Sequence, residues 1–214
     1  MVKIAPSLLA ADFACLEREI RTVEAGGADL IHVDVMDGHF VPNLSMGPVI
    51  VEAVRRVTRL FIDVHLMVES PEKFIAPFAK AGANNITVHA EVCGNRTGDI
   101  LKQIAAAGCR RGISIKPGTP VASVRSLRGA IDLLLIMSVE PGFGGQAFIE
   151  ASYDRIRESR ALFGPAVEIE VDGGINAANA PAVAAAGADI LVAGTAVFRA
   201  ADPAAVIRSM KGPS

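Results

Sequence analysis

Residues 30–38 read Leu-Ile-His-Val-Asp-Val-Met-Asp-Gly, an apolar run that polar side chains enter at every second position. Side chains on a strand alternate faces, so His32, Asp34 and Met36 share one face while Ile31, Val33 and Val35 share the other. An imidazole, a carboxylate and a thioether in a row make a poor core, but they can hold a metal or move a proton. An Asp37-Gly38 turn then ends the run. Further polar residues fall at comparable places: Ser7 after residues 3–6, His65 within 60–66 and Asp172 after 167–171. Any one of them alone reads as a buried, hydrogen-bonded polar group. Four charged or imidazole groups gathered together are costly to bury without a counterion, which favours a cation among His32, Asp34, His65 and Asp172. Nitrogen and carboxylate ligands suit Zn, Fe(II), Mn or Co, with a position left for substrate. Asp37 reads as a turn residue, and nothing ties His39 or His89 to the cluster.

A second group of residues suits an anion. Gly142-Phe-Gly144-Gly145, Gly173-Gly174 and Gly194-Thr195 each follow an apolar run and leave backbone N–H groups open. Loops of this kind, at three consecutive strand ends, fit a phosphate. Tight turns need glycine anyway, so each pair alone says little. Met36, Met67 and Met137 also sit at strand ends, as core filling or as the apolar lining of a site.

The elements that must carry these residues alternate in type. Apolar runs at 3–6, 29–34, 60–66, 85–89, 111–115, 131–137, 167–171 and 188–192 read as strands. Helices are expected at 12–25, 49–57, 71–80, up to 107, from about 121, 148–163 and 178–186, and two helical pieces close the chain. Asp12 can cap the first, whose apolar stripe is Phe13, Leu16, Ile20 and Val23. A Gly-Ala-Asp/Asn phrase recurs before three strands (Gly27, Gly82, Gly187), where glycine stops a helix. Eight βα units in one domain, residues 1–214, predict a closed (β/α)8 barrel, with polar strand ends converging on one face. A doubly wound open sheet is the alternative.

Composition narrows the partners. The chain has 214 residues, a net charge of −2 and scattered basic residues, so neither nucleic acid nor an acidic membrane is an expected partner. No apolar run is long enough for a membrane span and no signal peptide is evident. Three widely spaced cysteines, Cys15, Cys93 and Cys109, read as reduced thiols in a cytoplasmic protein. Gly142-Phe-Gly-Gly lacks the spacing of a dinucleotide fingerprint, and no organic cofactor is expected.

Seven pieces in order give the chain a resemblance over essentially its full length. They are Ile4-Ala-Pro-Ser7 with Ala11-Asp-Phe13, His32-Val-Asp-Val-Met-Asp-Gly-His-Phe-Val-Pro-Asn43 with Gly47-Pro48, and Asp63-Val-His-Leu-Met-Val68. Lys116-Pro-Gly-Thr-Pro120, Val139-Glu-Pro-Gly-Phe-Gly-Gly-Gln146, Val171-Asp-Gly-Gly-Ile175 and Ala193-Gly-Thr-Ala-Val-Phe198 follow. The chain resembles the ribulose-phosphate 3-epimerase family. The resemblance implies a ribulose-phosphate-binding barrel that interconverts D-ribulose 5-phosphate and D-xylulose 5-phosphate in the pentose phosphate pathway. It implies one divalent metal on His32, Asp34, His65 and Asp172, with Asp34 and Asp172 also the acid/base pair. It places Ser7 at the sugar and Gly144, Gly145, Gly174 and Thr195 around the phosphate, in a family where homo-oligomers are common. His65, Met36, Met67, Met137, Gly142, Gly173 and Gly194 are further expected substrate contacts from their places at strand ends and loops. Thr195 stands where the family often has Ser, and Ser45-Met46 where Thr-Phe is commoner.

The chemistry agrees with the residues. Inverting a carbon next to a ketone needs a proton removed from one face and returned to the other, hence a base on each. A carboxylate near its reference pKa of about 4 is a weak base for such a carbon, so a metal must carry part of the load. The nearest rival is an epimerase of D-allulose 6-phosphate. A sugar-phosphate lyase is a second, although no Asp-x-Lys triplet marks a strand end, and a non-catalytic sugar-phosphate binder is a third.

Overall fold

Eight parallel strands alternate with helices, and the sheet order, β1-β8-β7-β6-β5-β4-β3-β2, is that of a ring. The computed structural model describes residues 2–212. The strands are β1 (Lys3–Pro6), β2 (Leu30–Met36), β3 (Phe61–Met67), β4 (Asn85–His89), β5 (Arg110–Ile115), β6 (Leu133–Met137), β7 (Glu168–Asp172) and β8 (Ile190–Ala193). A parallel bridge between Ser7 and His32 joins the first strand to the second. The fold is therefore the (β/α)8 barrel, and the open doubly wound sheet is excluded.

The helices on the outside are α1 (Leu16–Ala25), α2 (Pro48–Val57), α3 (Ile75–Ala81), α4 (Ala90–Cys93), α5 (Thr97–Ala106), α6 (Ser152–Phe163), α7 (Ala180–Ala186), α8 (Thr195–Phe198) and α9 (Pro203–Lys211). Two expected helices differ in kind. Asp12 caps a 3-10 turn at Phe13–Cys15, its side chain accepting from Ala14 N, before α1 begins. That turn swings Phe13 out of the apolar stripe to 46 % exposure, while Ile20 and Val23 are buried. The segment after β5 is 3-10 throughout, Val121–Leu127. β6 starts at Leu133, two residues later than the apolar run suggests, and Asp132 before it bonds β5 with its side chain.

Bonds of this kind explain the recurring Gly-Ala-Asp/Asn phrase. Asp29 Oδ2 accepts from Ile4 N at 2.8 Å, Asn84 Oδ1 from Ile62 N at 2.8 Å and Asp189 Oδ2 from Ile169 N at 2.8 Å. Asp132 Oδ2 repeats the bond to Arg111 N at 2.9 Å. In each case the residue leading into an even-numbered strand braces the odd-numbered strand beside it. Before Asp29, Asn84 and Asp189 the glycine two residues earlier lets the chain turn from helix to brace; Gly187, at φ +121, needs the left-handed region to do so.

Alternation divides the strand side chains in two. Ile31, Val33, Val35, Ile62, Val64 and Leu66 face outward and are buried among apolar residues of the helices. Inside the ring, Ala5, Leu133, Leu135, Met137, Ile190 and Val192 pack together on β1, β6 and β8. The polar part of the interior is carried mainly by β2, β3, β4 and β7. It includes His32, Asp34, Asp63, His65, Asn85, Thr87, His89 and Glu170. Gly112 on β5 makes room for it, since a Cβ there would stand 2.0 Å from Thr87 Oγ1.

The ring is thinnest between β1 and β2, where the Asp29 brace adds to a single bridge. Asp29→Ala is expected to lower stability by about 1.5–3 kcal/mol, the range for a hydrogen bond to a charged group. Asp29→Asn, which keeps an acceptor, should lose less. Urea denaturation checks both; an Ala variant as stable as wild type would contradict the brace.

Candidate active site

Strand register builds the site. Asp34 pairs in register with His65, Met36 with Met67 and Met137 with Asp172. The polar side chains of β2, β3 and β7 therefore emerge at one level, at the C-terminal mouth of the barrel. One ligand atom each from His32, Asp34, His65 and Asp172 lies within 4.8 Å of all the others. Asp34 Oδ1 is the hub, 3.3 Å from His32 Nε2 and 3.2 Å from His65 Nδ1, and His65 Nδ1 is 4.0 Å from Asp172 Oδ2. The other Asp34 oxygen accepts from Ser7 Oγ at 2.5 Å.

The second nitrogen of each imidazole is spoken for. His32 Nδ1 lies 2.7 Å from Asp63 Oδ2, which leaves Nε2 buried at the cluster with no hydrogen bond. His65 Nε2 meets His89 Nε2 at 2.9 Å, and His89 Nδ1 meets Glu91 Oε2 at 3.1 Å. Beneath the cluster, Asn85 Nδ2 donates to Asp63 Oδ1 at 2.6 Å and to Thr87 Oγ1 at 2.9 Å. Glu170 Oε1 stands 3.6 Å from His32 Nδ1. None of Asp63, Asn85, Glu170, His89 or Glu91 was singled out from the sequence. Alternation could have found three of them, because Asp63 and Glu170 lie two residues before His65 and Asp172, and His89 ends its own strand.

The electrostatics favour positive charge here. Burial opposes charge on His32, but Asp34 and Asp63 on either side outweigh it and raise the imidazole well above its usual value. Burial also pushes the Asp34 carboxyl up, yet attraction to His32, with His65 close by, holds it well below the carboxylate range. Asp172 goes the other way: desolvation and the nearby Asp34 charge raise it to about 7. Glu170 rises well above its usual value through burial and the Asp63 charge. His89 drops to about 4 on burial, partly offset by Glu91. Glu91 resists the upward push of burial and falls to about 2, held by His89, Thr119 and Lys116 N.

A cleft of about 220 Å³ opens over this floor, with Ser7, Asp34, Met36, Met67, Met137, Asp172 and Thr195 among its lining. Gly142, Gly144, Gly145, Gly173, Gly174 and Gly194 form its rim. His32 and His65 are fully buried and do not line it. His65 reaches the cleft floor through Asp34, 3.2 Å from its Nδ1. Thr195 Oγ1 stands 3.8 Å from where a Cβ on either Gly144 or Gly145 would sit. Gly174, at φ +66, is closed to other residues because its Cβ would meet Phe148 N at 2.4 Å. Asn43 Nδ2 donates to Gly142 O at 2.8 Å, linking the loop after β2 to the loop after β6. Asp37 is the turn residue expected: one oxygen accepts from His39 N and Phe40 N, and the other from Glu69 N.

Fold and site together define a (β/α)8 barrel whose C-terminal mouth carries a cation-suited His2Asp2 cluster under a glycine-rimmed cleft. A profile of the Ribulose-phosphate 3 epimerase family matches residues 3–198. The ribulose-phosphate 3-epimerase of Bacillus subtilis (strain 168) is 49 % identical, with 99 % of both chains covered. The cytoplasmic isoform of Oryza sativa subsp. japonica is 43 % identical, over 98 % of this chain and 92 % of that one. Among solved structures, a 3-hexulose-6-phosphate synthase matches with a TM-score of 0.76 at 20 % identity, covering 98 % of both chains, a likeness of fold alone. The chain belongs to the ribulose-phosphate 3-epimerase family, a family of isomerases.

The orphaned His32 Nε2, beside a carboxylate oxygen that two imidazoles share, fits a divalent cation. Mn2+ at 100 times its Kd should add about 2.7 kcal/mol, or about 5–10 °C in Tm for a chain of this size. His32→Ala should abolish the shift. Thermal melts with and without Mn2+, Zn2+ or Co2+ check it, and an unchanged wild-type Tm in all three would contradict the cluster's fitness for a cation.

Proposed function

We propose that the chain inverts C3 of a pentulose 5-phosphate, interconverting D-ribulose 5-phosphate and D-xylulose 5-phosphate, a step of the pentose phosphate pathway. The names of its relatives support the substrate, and one observation supports the mechanism. Asp34 and Asp172 face one cleft from β2 and β7, with their environments pushed in opposite directions. Two carboxyls so separated suit one base and one acid.

Asp34, held ionised, takes the C3 proton from one face of the substrate. Asp172, facing the cleft from β7, delivers one to the other face. In the reverse direction the two exchange roles. A divalent cation (Zn, Fe(II), Mn or Co) on His32, Asp34, His65 and Asp172 would supply Lewis-acid stabilisation of the charge that develops on the substrate oxygens, worth several kcal/mol. Ser7, bonded to Asp34 Oδ2, fixes the orientation of that carboxylate and leaves Oδ1 towards the imidazoles. Met36, Met67 and Met137 give C3 a dry, polarisable surround. The glycines at 142, 144, 145, 173, 174 and 194, with Thr195, offer backbone N–H groups and a hydroxyl to the phosphate, anchoring the far end so that only C3 lies between the carboxylates. The reaction moves protons and no net electrons, so no organic cofactor is called for.

None of the described helices is long and apolar enough to cross a membrane. Three free cysteines, two of them buried, fit the cytoplasmic location we assign with this function. A homo-oligomer is part of the same reading.

D-Ribulose 5-phosphate incubated in D2O with metal-loaded protein should acquire deuterium at C3, read by NMR. Asp172→Asn should lower turnover by at least about 100-fold while its urea midpoint stays near wild type. Near-normal turnover in that variant would sink the two-base assignment. A larger kcat/KM on D-allulose 6-phosphate than on the pentulose would replace the substrate.

A further inference from the structure

The geometry points to Glu91 and His89 as a positioning pair that fixes the tautomer of His65 and keeps its Nδ1 free to bind a cation. This rests on the reading of His65 as a metal ligand. It concerns two residues outside the cluster, reached by following hydrogen bonds outward.

The chain of contacts runs from Asp34 Oδ1 to His65 Nδ1, from His65 Nε2 to His89 Nε2, and from His89 Nδ1 to Glu91 Oε2. Both imidazoles are fully buried, so their ring nitrogens answer to the protein groups beside them. Glu91 is anchored from the other side. Its Oε1 accepts from Lys116 N at 2.7 Å and from Thr119 Oγ1 at 2.5 Å. A carboxylate has no proton to give, so Oε2 must receive one, and His89 carries its proton on Nδ1. His89 Nε2 is then a bare lone pair. The 2.9 Å contact with His65 requires a proton between the rings, which must come from His65 Nε2. His65 is left with its lone pair on Nδ1, the nitrogen that points at Asp34 and Asp172. Ligating histidines are commonly fixed through their second nitrogen in this way; here the orienting carboxylate acts through an intervening imidazole.

The direction of this relay can be reversed by one atom. In Glu91→Gln, Lys116 N–H still demands an oxygen, so the amide oxygen stays there and the NH2 group faces His89 Nδ1. Every proton in the chain then shifts: His89 Nε2 becomes the donor, His65 Nε2 the acceptor, and His65 Nδ1 takes the proton that blocks ligation. Glu91→Ala removes the anchor to Lys116 and Thr119 but forces neither tautomer.

A loop-anchoring role predicts that Ala is the worse variant, whereas the relay predicts that Gln is. Mn2+ titration followed by electron paramagnetic resonance should show Kd weakened by about 10–100-fold in Glu91→Gln, and less in Glu91→Ala. Long-range 1H–15N NMR of the metal-free proteins should show His65 protonated on Nε2 in wild type and on Nδ1 in Glu91→Gln. A wild-type His65 protonated on Nδ1, or a Gln variant that binds Mn2+ as wild type does, would overturn the proposal. Failure of wild type to bind Mn2+, with the expected tautomers observed, would instead refute His65 as a ligand and leave the relay standing.

Discussion

Acceptor atoms facing one another at the mouth of the barrel are the constraint on which the rest of the structure turns. Asp34 Oδ1 stands little more than 3 Å from a nitrogen of each of two buried imidazoles, and Asp172 closes the group. Each imidazole spends its other nitrogen on a partner below or beside it, Asp63 for His32 and His89 for His65. Lone pairs collected this closely in a buried place are tolerable only with positive charge among them. The lift of His32 above its ordinary pKa expresses the same demand when a proton meets it. A divalent cation would meet it more fully, and would lend its charge to the substrate as well.

The barrel is arranged to make that gathering possible. Parallel register brings Asp34 level with His65, and Met137 level with Asp172, without any loop having to place them. Aliphatic side chains of β1, β6 and β8 fill part of the interior, and most of the buried polar groups collect on β2, β3, β4 and β7, where they can satisfy one another. Gly112 leaves the volume that Thr87 and Asn85 fill beneath Asp63. Above the floor, glycine loops after β6, β7 and β8 give the cleft its rim, tied by Asn43 to the loop that follows the metal-suited strand. Rigid strands thus carry the charged groups, and backbone-rich loops the groups suited to an anion.

Much of this was legible in the sequence, for reasons that particular residues show. Period-two alternation put His32, Asp34 and Met36 on one face, and eight apolar runs separated by helical stretches implied a closed barrel. The glycine pairs fell after the strands where the cleft rim lies. Less legible was anything set by three-dimensional neighbours. Phe13 fits a helical stripe but lies in a 3-10 turn that exposes it, and Val121–Leu127 is 3-10 rather than α-helical. The Asp or Asn of each helix-to-strand joint braces a different strand, a contact between residues about 20–25 apart that local pattern cannot reveal. His89 looked isolated because its link to the cluster passes through the far side of another ring. The residues alone gathered the four candidate ligands; resemblance to a family supplied the reaction and joined the metal and proton roles in Asp34 and Asp172.

The most direct test of the account is the position of the cation itself, from anomalous diffraction of crystals soaked in Mn2+. The account predicts one strong peak bounded by His32 Nε2, Asp34, His65 Nδ1 and Asp172, at the cleft floor. A peak elsewhere in the barrel, or one bound through His65 Nε2, would contradict it.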